Sequence, residues 1–229
     1  NGVATAYGHP LEFAVDTLDA GLDSVSLEGL MLAVAGLRIY ADCEYRLPDG
    51  VWRVSLQSAM SSFDPSVLYS PAPKASLNGT VSAALSGTSA GLSSCSGTVD
   101  LKPSVFSGVP VTSLRAVLST RPGRWDLSVD ASAPGLNADL DASGASGMDL
   151  MPSTFSGRLS LAVEDASTIP LLALPESLSI MDASCDVAFS GNRSSVLAEF
   201  DAGVGGISMG TGLAAAGLTT VGTVSWSES

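Results

Sequence analysis

The sequence predicts an all-β protein: an elongated, mainly antiparallel curled sheet, groove-like in section, with one or two short helical turns. Three observations predict it. Apolar and polar residues alternate with period two from end to end, which sends successive side chains to opposite faces of a strand. Pro, Gly and Asp cluster between the alternating runs, where turns belong. Hydrophobic residues make up 45% of the chain but aromatic ones only 6%, so Leu, Val and Ala supply an apolar face too thin for a bulky globular core. The 229 residues are enough for one large β unit. It reads as three continuous segments: 1–62, a first strand and hairpin; 63–166, a β segment; and 167–229, a second related β segment with a Gly-rich tail.

Taken in order, Leu37, Ile39, Ala41, Cys43, Tyr45 and Leu47 share one face, Pro48-Asp49-Gly50 turns the chain, and Trp52, Val54 and Leu56 share the next face. This is a hairpin pattern. In FDPSVLY, Asp64 is placed to cap and Pro65 to open a short helical turn. Strand sets follow at Val81, Ala83 and Leu85, at Val99 and Leu101, and at Leu114, Ala116 and Leu118. In DLSVDASAPGLNADLDASG and the Trp before it, Trp125, Leu127, Val129 and Ala131 precede the Pro134-Gly135 turn, and Leu136, Ala138, Leu140 and Ala142 follow it. Asp126, Asp130, Asp139 and Asp141 take the opposite face. STIPLLALP, residues 167–175, is a second short helical candidate bounded by Pro170 and Pro175. KASLNGTVSAALSG and ESLSIMDASCDVAFSG, about a hundred residues apart, each place a long strand after a helical turn, which reads as two related β segments. In the tail GVGGISMGTGLAAAGLTTVG the alternation weakens, and strand register is least specified there.

A formal charge of −13 and a pI near 4.1 repel phosphate backbones, and no Lys/Arg stripe offsets them, so nucleic acid is excluded as a partner. The same sign opposes adsorption to anionic headgroups but not apolar contact with acyl chains. Cys43, Cys95 and Cys185 are too far apart for zinc or redox motifs, and their odd number argues against a disulfide framework. They read as small strand residues. The longest apolar run, Leu30 to Leu37, falls well short of the roughly 20 residues of a spanning helix. NGVATAYGHP carries neither a signal peptide nor an initiator Met, and the chain reads as a piece of a longer protein.

The search for chemistry yields no catalytic, cofactor-binding or metal site. Gly87-Thr-Ser89-Ala-Gly91 matches the nucleophile-elbow spacing, but a strand pattern follows it where the elbow needs a helix. The single histidine, His9, has no triad or ligand partners in pattern. Gly203, Gly205, Gly206, Gly210 and Gly212 lack the lysine and helix of a phosphate loop. The alternating aspartates lack the Gly-rich nonapeptide of calcium-binding β-rolls, and Asp139 and Asp141 have no neighbour in sequence that would separate their pKa values. Asn78-Gly-Thr80 and Asn192-Arg-Ser194 fit the glycosylation pattern, which a Ser/Thr-rich chain produces by chance. The chain is predicted to be neither an enzyme nor a cofactor protein.

The run FDPSVLYSPAPKASLNGTVSAALSG, followed by SGTVDLKPSVFSGVPVTSLRAVLSTRPGRWDLSVDASAPGLNADLDASG, resembles the repeated segments of TamB-like proteins of the AsmA-like group. The shared cadence is a short helical turn, "L-x-G-x-V", an alternating strand, "G-x-P-V-x-x-L", another strand and an Asp-rich closing strand. It covers residues 11 to 200, and the Gly-rich tail departs from it. The resemblance implies the periplasmic portion of a bacterial envelope protein, anchored in the inner membrane by a helix outside this piece and reaching toward the outer membrane. It also implies a bridge-like lipid transfer groove (a β-taco) that moves phospholipid, and a role in outer-membrane protein assembly beside a β-barrel partner. The groove-facing candidates are Val81, Ala83, Leu85, Val99, Leu101, Leu114, Ala116, Leu118, Leu127, Val129, Leu136, Ala138 and Leu140. The rival expectation is a structural or adhesin-like sandwich or solenoid, binding protein with its apolar faces closed on each other.

Overall fold

The computed structural model describes residues 2–6, 8–147, 152–169, 175, 178–209 and 213–227. Seventeen strands run through them: β1 (Gly2–Ala6), β2 (His9–Ala14), β3 (Thr17–Ala20), β4 (Ser24–Val34), β5 (Leu37–Arg46), β6 (Val51–Phe63), β7 (Ala75–Thr88), β8 (Gly91–Leu101), β9 (Ser104–Phe106), β10 (Val109–Val111), β11 (Ser113–Arg121), β12 (Arg124–Ala133), β13 (Leu136–Gly144), β14 (Thr154–Asp165), β15 (Leu178–Asn192), β16 (Ser195–Met209) and β17 (Leu213–Ser227). The sheet is antiparallel, curled and not closed. β2 pairs with β4, each strand pairs with the next from β4 to β8, β8 pairs with β11, and the succession resumes to β17. β1 flanks β2, β3 flanks β4, and β9 and β10 form a flap beside β7.

Turn chemistry sets the registers. Pro122-Gly123 joins β11 to β12 and Pro134-Gly135 joins β12 to β13, with both glycines at positive φ, where a side chain would clash with its own backbone. Longer excursions separate β6 from β7 and β14 from β15, and each contains a 3-10 turn, Pro65–Val67 and Ala166–Thr168. Asp64 caps the first by accepting from the Ser66 N–H (3.0 Å) and also from the Ala75 N–H (3.3 Å), so one carboxylate ties the turn to the strand that follows. Asp165 caps the second through the Ser167 N–H (2.9 Å). Each excursion thus runs from a strand through an Asp-capped turn toward the next strand. The second turn lies at the start of the helical candidate 167–175, whose residues 170–174 are outside the described residues. Leu47, expected on the β5 face, lies in the turn instead, because the strand ends at Arg46.

One layer of sheet leaves little room for a core. Among the described residues, Phe63, Trp125, Ala142, Ala166 and Ile169 are the buried apolar ones, and no side chain is fully enclosed. The accessible surface is 13901 Å², against about 9,600 Å² for a compact monomer of the same mass. The excess of roughly 4,000 Å² is the mark of a sheet wet on both sides. What holds it together is lateral: backbone ladders between long strands, and side chains packed against neighbours in their own layer.

Candidate functional surface

Because opposed residues in an antiparallel pair point to the same side, the registers trace each face across the molecule. One transverse row reads Leu32, Ile39, Ser58, Val81, Val99, Ala116, Val129, Leu140, Leu159, Val187, Phe200 and Gly222, one residue from each of β4 to β8 and β11 to β17. Eleven strand spacings make this row about 53 Å long. The rows on either side of it are also uncharged. All thirteen groove candidates lie on this one side: Val81, Ala83 and Leu85 on β7, Val99 and Leu101 on β8, Leu114, Ala116 and Leu118 on β11, Leu127 and Val129 on β12, and Leu136, Ala138 and Leu140 on β13. Twelve of them are half-buried and Leu118 is exposed.

The two sides treat the same residue type differently. On β7, Ala83 on the apolar side is half-buried while its neighbour Ala84 is exposed, and on β6 Ser58 is half-buried while Ser55 is exposed. Among the described residues no side chain is fully enclosed, as a second packed layer would require. The shielding therefore comes from the larger Leu, Val and aromatic side chains standing beside each small residue.

Aromatic placement was not foreseen. Phe13 faces Gly2, Trp52 faces Gly87, Trp125 faces Gly144, Phe155 faces Gly191, Phe189 faces Gly157, and Phe200 faces Gly222. A Cβ built on Gly2, Gly87, Gly157, Gly191 or Gly222 would strike the facing ring. The rings therefore lie across their glycines rather than standing off the sheet, a cross-strand arrangement that fills the space a glycine leaves. Phe155 and Phe189 pack at 6.2 Å between ring centres. Two indoles are also pinned, the Trp52 Nε1–H donating to the Thr88 carbonyl (3.2 Å) and the Trp125 Nε1–H to the Thr154 carbonyl (3.1 Å).

The opposite side is polar and carries the charge. Asp100, Arg115, Asp130 and Asp139 face one another in sequence across β8, β11, β12 and β13. Asp130 sits against Asp139, and their hydrogen bond, with partial desolvation and repulsion from Asp130 and Asp141, raises the Asp139 pKa above the usual carboxylate value. The sequence alone missed this, because the perturbing carboxylate lies across the strand pair. Elsewhere cations relieve the charge. Arg124 grips Asp126 (2.7 Å) and lowers its pKa. Asp186 accepts from the Ser160 hydroxyl (2.6 Å) and pairs with Arg158 (3.3 Å), which lowers its pKa too. These exposed pairs contribute little stability.

Two hollows open mainly on this polar side. One of about 790 Å³ is bordered by Val117, Ser119, Asp126, Asp141, Arg158 and Glu199, and another of about 620 Å³ by Ser26, Asp42, Glu44, Arg53, Ser55 and Ser96. No group of His, Cys, Asp or Glu among the described residues is arranged to hold a metal ion.

The remaining motifs become structural. Ser89 and Ala90 make the short turn from β7 to β8, not a strand-to-helix elbow. Gly203, Gly205 and Gly206 lie within β16, while Gly210 and Gly212 are outside the described residues. The Asn78 side chain accepts from the Ser62 N–H (2.9 Å) and donates to the Pro103 carbonyl (2.8 Å), and Asn192 accepts from the Ser194 and Ser195 N–H groups at the β15–β16 turn. His9 pairs with Ala6 between β2 and β1. Cys43, Cys95 and Cys185 are unbridged and share the apolar side. No helix among the described residues is long and apolar enough to cross a membrane. Comparison with family models, curated proteins and solved structures finds no match.

Proposed function

We propose that the apolar side of the curled sheet is an open trough that shields phospholipid acyl chains from water. In this reading the chain is part of the periplasmic portion of a TamB-like, inner-membrane-anchored envelope protein. It carries lipid between inner and outer membranes and supports outer-membrane protein assembly beside a β-barrel partner. The observation that carries the trough is the uncharged face continuous over twelve strands with no side chain fully enclosed among the described residues; the envelope setting rests on the sequence resemblance.

The energetics favour such an occupant. A phospholipid with about 30 methylenes, at roughly 0.8 kcal/mol each, gives up about 25 kcal/mol of hydrophobic stabilisation when its chains are bare in water. An apolar face longer than one acyl chain replaces that exposure with contact. Rings laid over glycines keep the floor level, so a chain meets no deep pocket and no charge that would stop it at one place. The aspartates stay on the wet side and keep an apolar-rich chain dispersed. The rival scaffold with a closed core needs interlocked apolar layers, and a single-layer sheet does not supply them.

Glutamate at Leu118, Val129 or Leu140 tests the reading. Each variant places a carboxylate on the trough while leaving the backbone ladders alone. Native mass spectrometry of protein incubated with phospholipid is expected to show lipid adducts on the parent chain and their loss from the variants. Equal occupancy in all of them would contradict the trough.

A further inference from the structure

β17 is the outermost strand, and Gly217, at positive φ, interrupts its ladder to β16. It is 15 residues long, contains no charged residue and no proline, and among the described residues pairs with β16 alone. Natural sheets guard such edges with charges, prolines, bulges or short strands, because a bare row of N–H and C=O groups recruits another strand. The strands at the other end follow that practice: β1 has five residues and β3 four. On β17, Leu218, Val221, Val224 and Trp226 are all exposed, Val221 to 76%.

We propose that β17 pairs antiparallel with β17 of a second copy of this chain, joining two sheets edge to edge about a two-fold axis perpendicular to them. The pairing is self-consistent in three ways. Opposed residues in an antiparallel ladder direct their N–H and C=O groups alike, so β17 meets its copy with residues of equal parity matched, and the apolar sides of the two molecules become one surface. In the full-overlap register, centred on Thr220, large residues face small ones: Trp226 meets Ala214, Val224 meets Ala216, and Leu218 meets Gly222. This repeats the ring-over-glycine logic inside the sheet. The net charge of −13 makes most self-contacts repulsive, yet this strand is neutral. Among the described residues the nearest acidic side chains are Glu199 and Asp201 on β16, and these would be three strand spacings from β16 of the copy, about 14 Å, against a Debye length of about 8 Å at physiological salt. No other free edge among the described residues matches this length.

Sedimentation equilibrium of the full chain over a concentration series tests the pairing. The expected species has twice the 23.0 kDa chain mass. In the proposed register Thr219 faces Val221 of the copy, so the double variant Thr219→Lys/Val221→Lys sets lysines against lysines twice. It should weaken dimerisation at least about tenfold with an unchanged far-UV circular dichroism spectrum. Thr220→Cys should form a disulfide-linked dimer through that cysteine under mild oxidation, and Ala214→Cys should not; this arm decides even where the lysine variant fails to fold. A monomer at every concentration, the outcome if the edge serves a different partner, overturns the proposal. So does a dimer indifferent to the lysines and without the Thr220→Cys link.

Discussion

Trp125 and Trp226 belong to the same apolar side, yet one is 8% exposed and the other 55%. Trp125 stands on β12, within the sheet, opposite Gly144 and with its indole N–H held by β14. Trp226 stands on β17, opposite Val196, with a neighbour on one side only. What shelters a side chain in this molecule is therefore the strand beside it, and each strand added to an edge converts the exposed row into a sheltered one.

The comparison can be broken most forcefully at the two tryptophans. Trp125→Ala is expected to cost about 3 kcal/mol or more in urea unfolding, as for other buried aromatic truncations, whereas Trp226→Ala should stay within about 0.5 kcal/mol. Similar costs at the two sites would mean that lateral packing is not what stabilises the sheet.

A smaller effect sharpens the same point at the glycines. Gly157→Val forces the Phe189 ring off its seat and brings the new side chain against the Asp141 carbonyl, an overpacking expected to cost about 1–3 kcal/mol. Gly206→Ala, where an added Cβ meets nothing, should stay within about 0.5 kcal/mol. Equal loss in both would show that glycine serves the backbone there and not the ring.

The smallest effects lie on the polar side and depend on pH. Asp139 has a folded pKa above its ordinary value, so the folded state binds the proton more tightly and stability falls as pH rises through the window just above the carboxylate range. Asp139→Asn should therefore raise the thermal midpoint at neutral pH and remove that pH dependence. Asp165 is held low by its Ser167 hydrogen bonds, so its contribution is complete above the ordinary carboxylate value and is lost as pH falls through the folded pKa. Asp165→Ala should lower the midpoint at neutral pH and change little in acid.

Much of this was legible in the sequence where the turn is tight. Trp125 and Gly144 are equidistant from Pro134-Gly135, so the two-residue turn already dictates that they face each other. The candidates from Leu114 to Leu140 fall on one side for the same reason. Across the longer excursions the register is not written locally. Trp52 meets Gly87 only after a 3-10 turn and a bulge between Met60 and Phe63, with Ser62 at positive φ. Alternation also says which side is apolar but not whether a second layer covers it, since a sandwich and an open sheet share that pattern. The hollows on the polar side escaped for a related reason: they arise from rows of small Ser and Ala residues brought together by register.

Val117 and Leu118 test the central claim most directly. They are adjacent on β11 and almost equally exposed, 38% and 40%, but Leu118 faces the apolar side and Val117 borders the larger polar hollow. A fluorescent fatty acid titrated into the full chain should bind saturably, lose that binding with Leu118→Glu, and retain it with Val117→Glu. Saturable binding that survives glutamate at Leu118 but vanishes with glutamate at Val117 would place the ligand on the wrong side of the sheet and contradict the trough.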